Sequence, residues 1–118
     1  MMINNLYTYK ATVNRVVDGD TAELTIDLGF TVQWKSTCRF YGINTPELNS
    51  RDVEVKQKAK DARQFVENQL PKGTKVLIVS RELDKYGRPL VDIYYGENFT
   101  NHINQELVDK QLAVTYLL

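Results

Sequence analysis

From Ala22 to Leu28 the chain alternates without a break: Ala22, Leu24, Ile26 and Leu28 fall on one side, and Glu23, Thr25 and Asp27 on the other. Period-two alternation over a full strand length buries one face and leaves the other in water, so this segment reads as a half-buried strand. Such a strand needs partners, and its neighbours supply them. Tyr7 to Val17 reads as a preceding strand, with Ala11, Val13 and Val17 at odd spacing, and Asp18-Gly19-Asp20 is a turn signal between the two. Gly29 turns the chain into another extended run, Val32 to Ile43, rich in β-branched and aromatic residues. The first third is therefore a three-stranded meander.

Helical spacing takes over after Asn49-Ser50. Ala59, Ala62, Phe65, Val66 and Leu70 follow i, i+3, i+4, i+7 with charged residues opposite, and Pro71 and Gly73 mark the stop. Val76 to Val79 and Leu90 to Tyr95 read as short strands joined by a charged loop, Arg81 to Arg88. Phe99 to Leu112 reads as a final helix with Ile103, Leu107 and Val108 on one side. The order β-β-β-α-β-β-α predicts an α+β fold, a five-stranded OB-type barrel with helices. A chain of 118 residues, with 42% hydrophobic and 25% charged residues, is expected to form one domain, 1–118, with a core that needs no staples.

Cys38 is the single cysteine, which excludes an internal disulfide and a multi-cysteine zinc site; beside Arg39, it reads as a small core residue, as free cysteines are among the most buried types. Met1 to Lys10 holds no apolar h-region, and no apolar run approaches the roughly 20 residues of a membrane span, so a cytoplasmic protein is expected. Fifteen Lys and Arg balance 15 Asp and Glu, which speaks against a broad basic surface for nucleic acid and leaves open a single charged pocket.

Three polar clusters sit where strands end. Asp18-Gly19-Asp20-Thr21 is either a solvated Asx turn or a source of hard oxygen ligands for Ca²⁺ or Mg²⁺. Arg39 lies inside an apolar strand, where a guanidinium needs an anion; Glu47, held by Thr45-Pro46, and Asp20 are its candidate partners, unless the anion is a substrate. Asp84-Lys85-Tyr86-Gly87-Arg88 is a polar hairpin loop that also offers a second guanidinium, a cation and an aromatic surface. His102, alone on the last helix, reads as surface or helix-cap structure and not as a general base.

Together, Val16-Val17-Asp18-Gly19-Asp20-Thr21, Arg39 to Glu47, Asp84 to Arg88, and Asn104 to Val108 with Leu112-Ala113 resemble the staphylococcal nuclease-like (thermonuclease) family, in order and over roughly Tyr9 to Tyr116. The resemblance implies a Ca²⁺-dependent endonuclease that hydrolyses DNA, with RNA as a second candidate, leaving 5′-hydroxyl and 3′-phosphate ends. It implies Arg39 and Arg88 as phosphate-gripping arginines and Glu47 as general base or water-orienting group. Asp20 and the Thr45 carbonyl become metal ligands, with Asn44 at a third ligand position. Lys85, Tyr86 and, across a one-residue gap, Tyr116 match nucleotide-binding positions. Asp18 matches the structural carboxylate of the turn.

Four departures from the family stand out. Asn44 replaces its second aspartate ligand, which removes a negative charge and predicts weaker Ca²⁺ binding. The hairpin Leu28 to Thr37 is longer, and its Phe30 and Trp34 are expected to pack on the barrel in preference to stacking on bases. Gln111 replaces the glycine that ends the penultimate helix, so a different termination is expected. The chain stops at Leu118, before a final helix of the longer family member, and the apolar Val114 to Leu118 is expected to cover the barrel or a second copy. A monomer is expected, with a dimer through that end as the other outcome. The competing reading is a catalytically weak or inactive OB-type module that binds oligonucleotides or a protein.

Overall fold

The computed structural model of the protein describes residues 7–116. Its elements are β1 (Thr8–Asp18), β2 (Thr21–Asp27), β3 (Gln33–Phe40), β4 (Ile43–Asn44), α1 (Val53–Gln69), β5 (Lys75–Leu83), β6 (Pro89–Tyr95), β7 (Asn101–His102), α2 (Ile103–Asp109) and β8 (Val114–Thr115), with a 3₁₀ turn at Glu97–Phe99. The main sheet runs β3-β2-β1-β5-β6, and a parallel pairing of β3 with β6 closes it into the five-stranded α+β barrel expected from the sequence. All other neighbouring strands pair antiparallel. β1 is long enough to serve two partners, Ala11 facing Ile26 of β2 and Val76 of β5.

The inward residues form one core. Val13, Leu24, Phe40, Ile78 and Ile93 fill the barrel, while Val66 and Leu70 from α1 and Ile103 and Leu107 from α2 join them. α1 starts where Asp52 accepts hydrogen bonds from the Glu54 and Val55 amides at 2.9 and 3.3 Å, a side-chain N-cap. Its Ala59, Ala62 and Val66 are buried on one stripe, and it ends at Leu70 before Pro71.

Several expectations need correction. Val16, not Val17, enters the core, because register shifts between Val13 and Arg15 and between Val16 and Asp18 flip the alternation of β1. β5 extends to Leu83, so Arg81 and Glu82 are strand residues and only Asp84 to Arg88 forms the turn. The last helix starts at Ile103, not Phe99: Asn98 and Phe99 are left-handed (φ 57° and 54°), and Asn101 and His102 pair with Tyr95 and Tyr94.

The β2–β3 hairpin projects beyond the barrel, and every residue from Asp27 to Lys35 is exposed. Phe30 is 98% exposed and Trp34 45%, so the expected packing of Phe30 on the barrel does not occur. Gln111 adopts φ 61°, the left-handed cap that a glycine would take, and the Leu112 and Ala113 amides close on the Leu107 carbonyl. The helix thus ends conventionally despite the side chain. Cys38 is fully buried, and burial pushes its thiol up to about 12. At the C-terminal end, β8 pairs with β4, and the Tyr116 amide donates to the Gly42 carbonyl at 2.8 Å. Val114 to Tyr116 therefore attach to their own barrel; Leu117, Leu118 and most of the Met1 to Lys10 segment lie outside the described residues. Among the described residues no helix is long and apolar enough to cross a membrane.

Candidate active site

The turn between β1 and β2 carries the first functional side chain. Gly19 passes so close to α1 that an added Cβ would lie 2.7 Å from the Ala62 Cβ and 3.1 Å from Thr45 Cγ2. Only glycine lets the turn dock there. The Asp18 carboxylate accepts from the Asp20 amide at 3.0 Å, closing the Asx turn. Asp20 is consequently buried and faces the loop after β3: its Oδ2 accepts from the Thr45 amide at 3.1 Å, and its Oδ1 accepts from the Thr21 hydroxyl at 3.1 Å.

The two carboxyls divide their protonation. Burial, reinforced by its hydrogen bond to and repulsion from Asp20, raises Asp18 to about 6. Burial also pulls Asp20 upward, but bonding by Asp18 and Thr45, the Arg39 charge and the Thr21 hydroxyl outweigh it and hold Asp20 below the ordinary carboxylate range. Asp20 is thus a fixed anion inside a polar cradle.

Arg39 faces it from β3, because Thr21 and Arg39 are cross-strand partners. The Arg39 Nη2 lies 3.6 Å from Asp20 Oδ2 and donates to Asn44 Oδ1 at 3.0 Å and to the Ile43 carbonyl at 3.3 Å. Of the two anions considered from sequence, Asp20 is the partner. Glu47, three residues beyond Asn44, is exposed at the rim and enters no ion pair among the described residues.

Barrel closure brings in the second arginine. Arg39 pairs with Leu90 across the parallel β3–β6 contact, and Arg88 stands two residues before Leu90. Asp84 fixes Arg88: its Oδ2 accepts from the Arg88 Nε at 2.8 Å, while Oδ1 takes the Tyr86 and Arg88 amides at 2.9 Å. Burial works against the charge on Asp84, but these donors keep its carboxyl below the usual range. Asp20, Arg39, Asn44, Thr45, Glu47 and Arg88 line one cleft of about 340 Å³.

Arg39, Asn44 and Arg88 also line an adjoining pocket of about 520 Å³, completed by Lys85, Tyr86 and Tyr116. The Tyr86 ring lies 5.6 Å from the Arg88 guanidinium and 5.2 Å from Lys85 Nζ, and the Tyr116 ring 6.0 Å from that of Arg39. Every site residue expected from the sequence therefore borders one of two joined cavities. The arrangement can bind one anion between two guanidinium forks and offer flat rings to what is attached to it.

For a metal ion the donors are the Asp20 carboxylate, the Asn44 amide oxygen and the Thr45 backbone. All are hard oxygens, suited to Ca²⁺ or Mg²⁺. No group of three or more His, Cys, Asp or Glu side chains is placed to hold a metal among the described residues. A hard cation held by these oxygens would need its remaining ligands from elsewhere.

The roles of three residues are not evident from the sequence. Asp84, which orients Arg88, was visible as the first residue of an Asx turn. Asn104, buried, donates to the Tyr41 and Val91 carbonyls and accepts from the Ile93 amide, each at 3.0 Å, tying α2 to β6 and to the turn after β3. Asp92, also buried, accepts from Arg81 Nε at 2.7 Å and pairs with His102 Nε2 at 2.8 Å, and the His102 ring stacks on Tyr94. His102 stands at the N-cap position of α2, within the helix-cap expectation, but its side chain makes no cap bond and instead pairs with buried Asp92. No local pattern signals that contact.

The chain is 31% identical to Endonuclease YhcR of Bacillus subtilis (strain 168) over 117 residues, which cover 93% of this chain and 9% of that protein. The chain thus spans under a tenth of the length of that relative. Residues 37–118, which carry Arg39, Asn44, Thr45, Glu47, Arg88 and both cavity-lining tyrosines, match the family described as Staphylococcal nuclease homologue. With the barrel, the cleft and this match in agreement, the chain belongs to the staphylococcal nuclease homologue family.

Proposed function

We propose that this domain hydrolyses phosphodiester bonds of DNA, with RNA as a second substrate, in a Ca²⁺-dependent reaction that leaves 5′-hydroxyl and 3′-phosphate ends. The observation that carries the reading is the convergence of Arg39, Arg88, Asp20, Asn44 and Glu47 on one cleft that opens onto the Lys85, Tyr86 and Tyr116 pocket.

In-line attack of water on phosphorus forms one P–O bond and breaks the bond to the 5′ oxygen, which leaves after taking a proton. Negative charge accumulates on the phosphoryl oxygens in between. Arg39 and Arg88 each present a planar fork to those oxygens, and the supports from Asn44 and Asp84 hold the forks before substrate arrives. Glu47 orients the attacking water and takes its proton or passes it to solvent. Asp20, Asn44 and the Thr45 carbonyl would hold Ca²⁺, which supplies positive charge to the phosphoryl group and to bound water. Tyr86 and Tyr116 stack on the flanking nucleotide while Lys85 faces its phosphate. The buried thiol of Cys38 is consistent with a cytoplasmic setting.

The test is cleavage of single-stranded DNA in Ca²⁺ and in EDTA by the wild type, Glu47→Gln and Arg88→Ala. Activity in Ca²⁺ alone, reduced at least a hundredfold in each variant, is the expected outcome. Asn44, a neutral donor at a ligand position, favours a second reading as a binding module of low activity. Equal inactivity of all three proteins in Ca²⁺ would establish that second reading.

A further inference from the structure

A groove of about 470 Å³ adjoins the cleft at the start of α1, and Asn49 borders both. Arg51, Lys56 and Lys60 line it. All three are exposed, and none enters an ion pair among the described residues. Of the acidic side chains nearest in sequence, Asp52 caps α1, Asp61 accepts from Gln57 at 2.9 Å, and Glu54, on the same first turn, does not line the groove. In a chain whose charges sum to zero, three unpaired cations around one groove are a local excess.

The groove meets the cleft at Asn49. Glu47 sits four residues before Arg51, and the Ser50 amide closes onto the Glu47 carbonyl at 3.2 Å, so the segment carrying Glu47 leads straight into the groove. Lys56 and Lys60 are one helical turn apart, about 6 Å along the axis, on the same face. That spacing suits successive phosphates of an extended strand. Val53, 80% exposed on the groove wall, gives a sugar or base an apolar surface.

We propose that this groove is a second phosphate-binding stretch, which takes the polynucleotide strand on the side of the cleft opposite the tyrosine pocket. The proposal rests on the nucleic-acid reading above and extends it: the preferred ligand is a single strand long enough to reach from Tyr86 past the cleft to Lys60, not a mononucleotide or dinucleotide.

The experiment measures binding of fluorescein-labelled oligothymidylate, four and twelve nucleotides long, by anisotropy in EDTA at several salt concentrations. Wild type is compared with Lys56→Ala/Lys60→Ala and Lys56→Arg/Lys60→Arg; the altered side chains are exposed, and circular dichroism checks the helix. The expected result is tighter binding of the twelve-mer by wild type. The alanine pair should weaken it about tenfold and flatten the slope of log K against log salt by about 1.4, two phosphate contacts at roughly 0.7 each. The four-mer should be unaffected and the arginine pair should keep wild-type behaviour. Equal losses on both lengths, no loss on the twelve-mer, or no length preference in wild type would overturn the groove. Cleavage in Ca²⁺ is scored separately. A tetramer cut without any length effect removes the groove alone, and length-dependent binding without cleavage removes the nuclease reading alone.

Discussion

Asp84 grips Arg88 side-on, its Oδ2 accepting from the arginine Nε at 2.8 Å while its Oδ1 takes two amides of the turn between them. The Nε edge is thereby occupied, and among the described residues the terminal nitrogens, at the boundary of the two cavities, have no hydrogen-bond partner. Arg88 is oriented by the turn that carries it, before any ligand binds.

Asp84→Asn should therefore act through Arg88. The amide can still accept one turn bond but cannot hold the guanidinium by charge. On the proposed reading kcat falls about tenfold, ~1.4 kcal/mol of transition-state stabilisation, with KM for a short oligonucleotide little changed. Steady-state kinetics of Asp84→Asn beside Arg88→Ala check this, and a wild-type kcat in Asp84→Asn would remove the orienting role.

Asn44→Asp restores a negative charge beside Asp20. The Ca²⁺ concentration for half-maximal activity should drop about tenfold, since ligand charge tunes Ca²⁺ affinity. A Ca²⁺ titration of cleavage rate decides it; an unchanged midpoint would mean that Asn44 serves Arg39, to which it is bonded, and no ion.

The Asp92 network predicts a pH dependence of stability. Burial disfavours the Asp92 charge, but the His102 and Arg81 contacts outweigh that and lower its pKa in the fold. A carboxyl with a depressed folded pKa contributes stability that is present above its unfolded value, about 3.9, and is lost as pH falls through the folded value. Asp92→Asn should lower stability by about 1–3 kcal/mol at pH 7. Urea midpoints measured from pH 7 down to pH 2 should also fall less steeply in the variant. Parallel curves for the two proteins would show that Asp92 is not a source of the acid limb.

Gln111→Gly relieves a left-handed side chain at the end of α2. The variant should gain about 1 kcal/mol, an increase of roughly 4 °C in Tm, without a change in activity. Thermal unfolding measures it, and a lowered Tm would mean that the glutamine side chain makes an unrecognised contribution.

Gly19→Ala tests the opposite constraint. The new methyl meets Ala62 and Thr45 in a packed wall, so a loss of about 1–3 kcal/mol is expected. Because Thr45 donates to Asp20, activity should fall further than the loss of folded protein explains. Activity per folded molecule equal to wild type would mean that the turn shifts without disturbing the cleft.

How much was legible depended on whether a residue acts through its neighbours in sequence. Strand β2 was read from alternation because Ala22, Leu24 and Ile26 need nothing beyond a two-residue period. The site clusters were legible because each is a turn, where short spacing and chemistry coincide. Val16 defeated the pattern since a bulge is a tertiary accommodation. The start of α2 was misplaced because Asn98 and Phe99 carry no strong breaker; their left-handed backbone accompanies the pairing of Asn101 and His102 with β6. Phe30 was misjudged for another reason: hydrophobicity states a preference for burial, whereas a hairpin longer than the barrel wall leaves nothing to be buried against. The Asp92 network joins three elements, and no window along the chain contains it.

The parallel contact between β3 and β6 has one more implication. Arg39 belongs to the amino-terminal meander and Arg88 to a hairpin on the far side of α1, and only that pairing makes them neighbours. A half-assembled chain, meander formed and β6 undocked, carries one guanidinium and no anion clamp. The juxtaposition of the two guanidiniums is therefore acquired in the same step that closes the barrel, and a chain with β6 undocked lacks it.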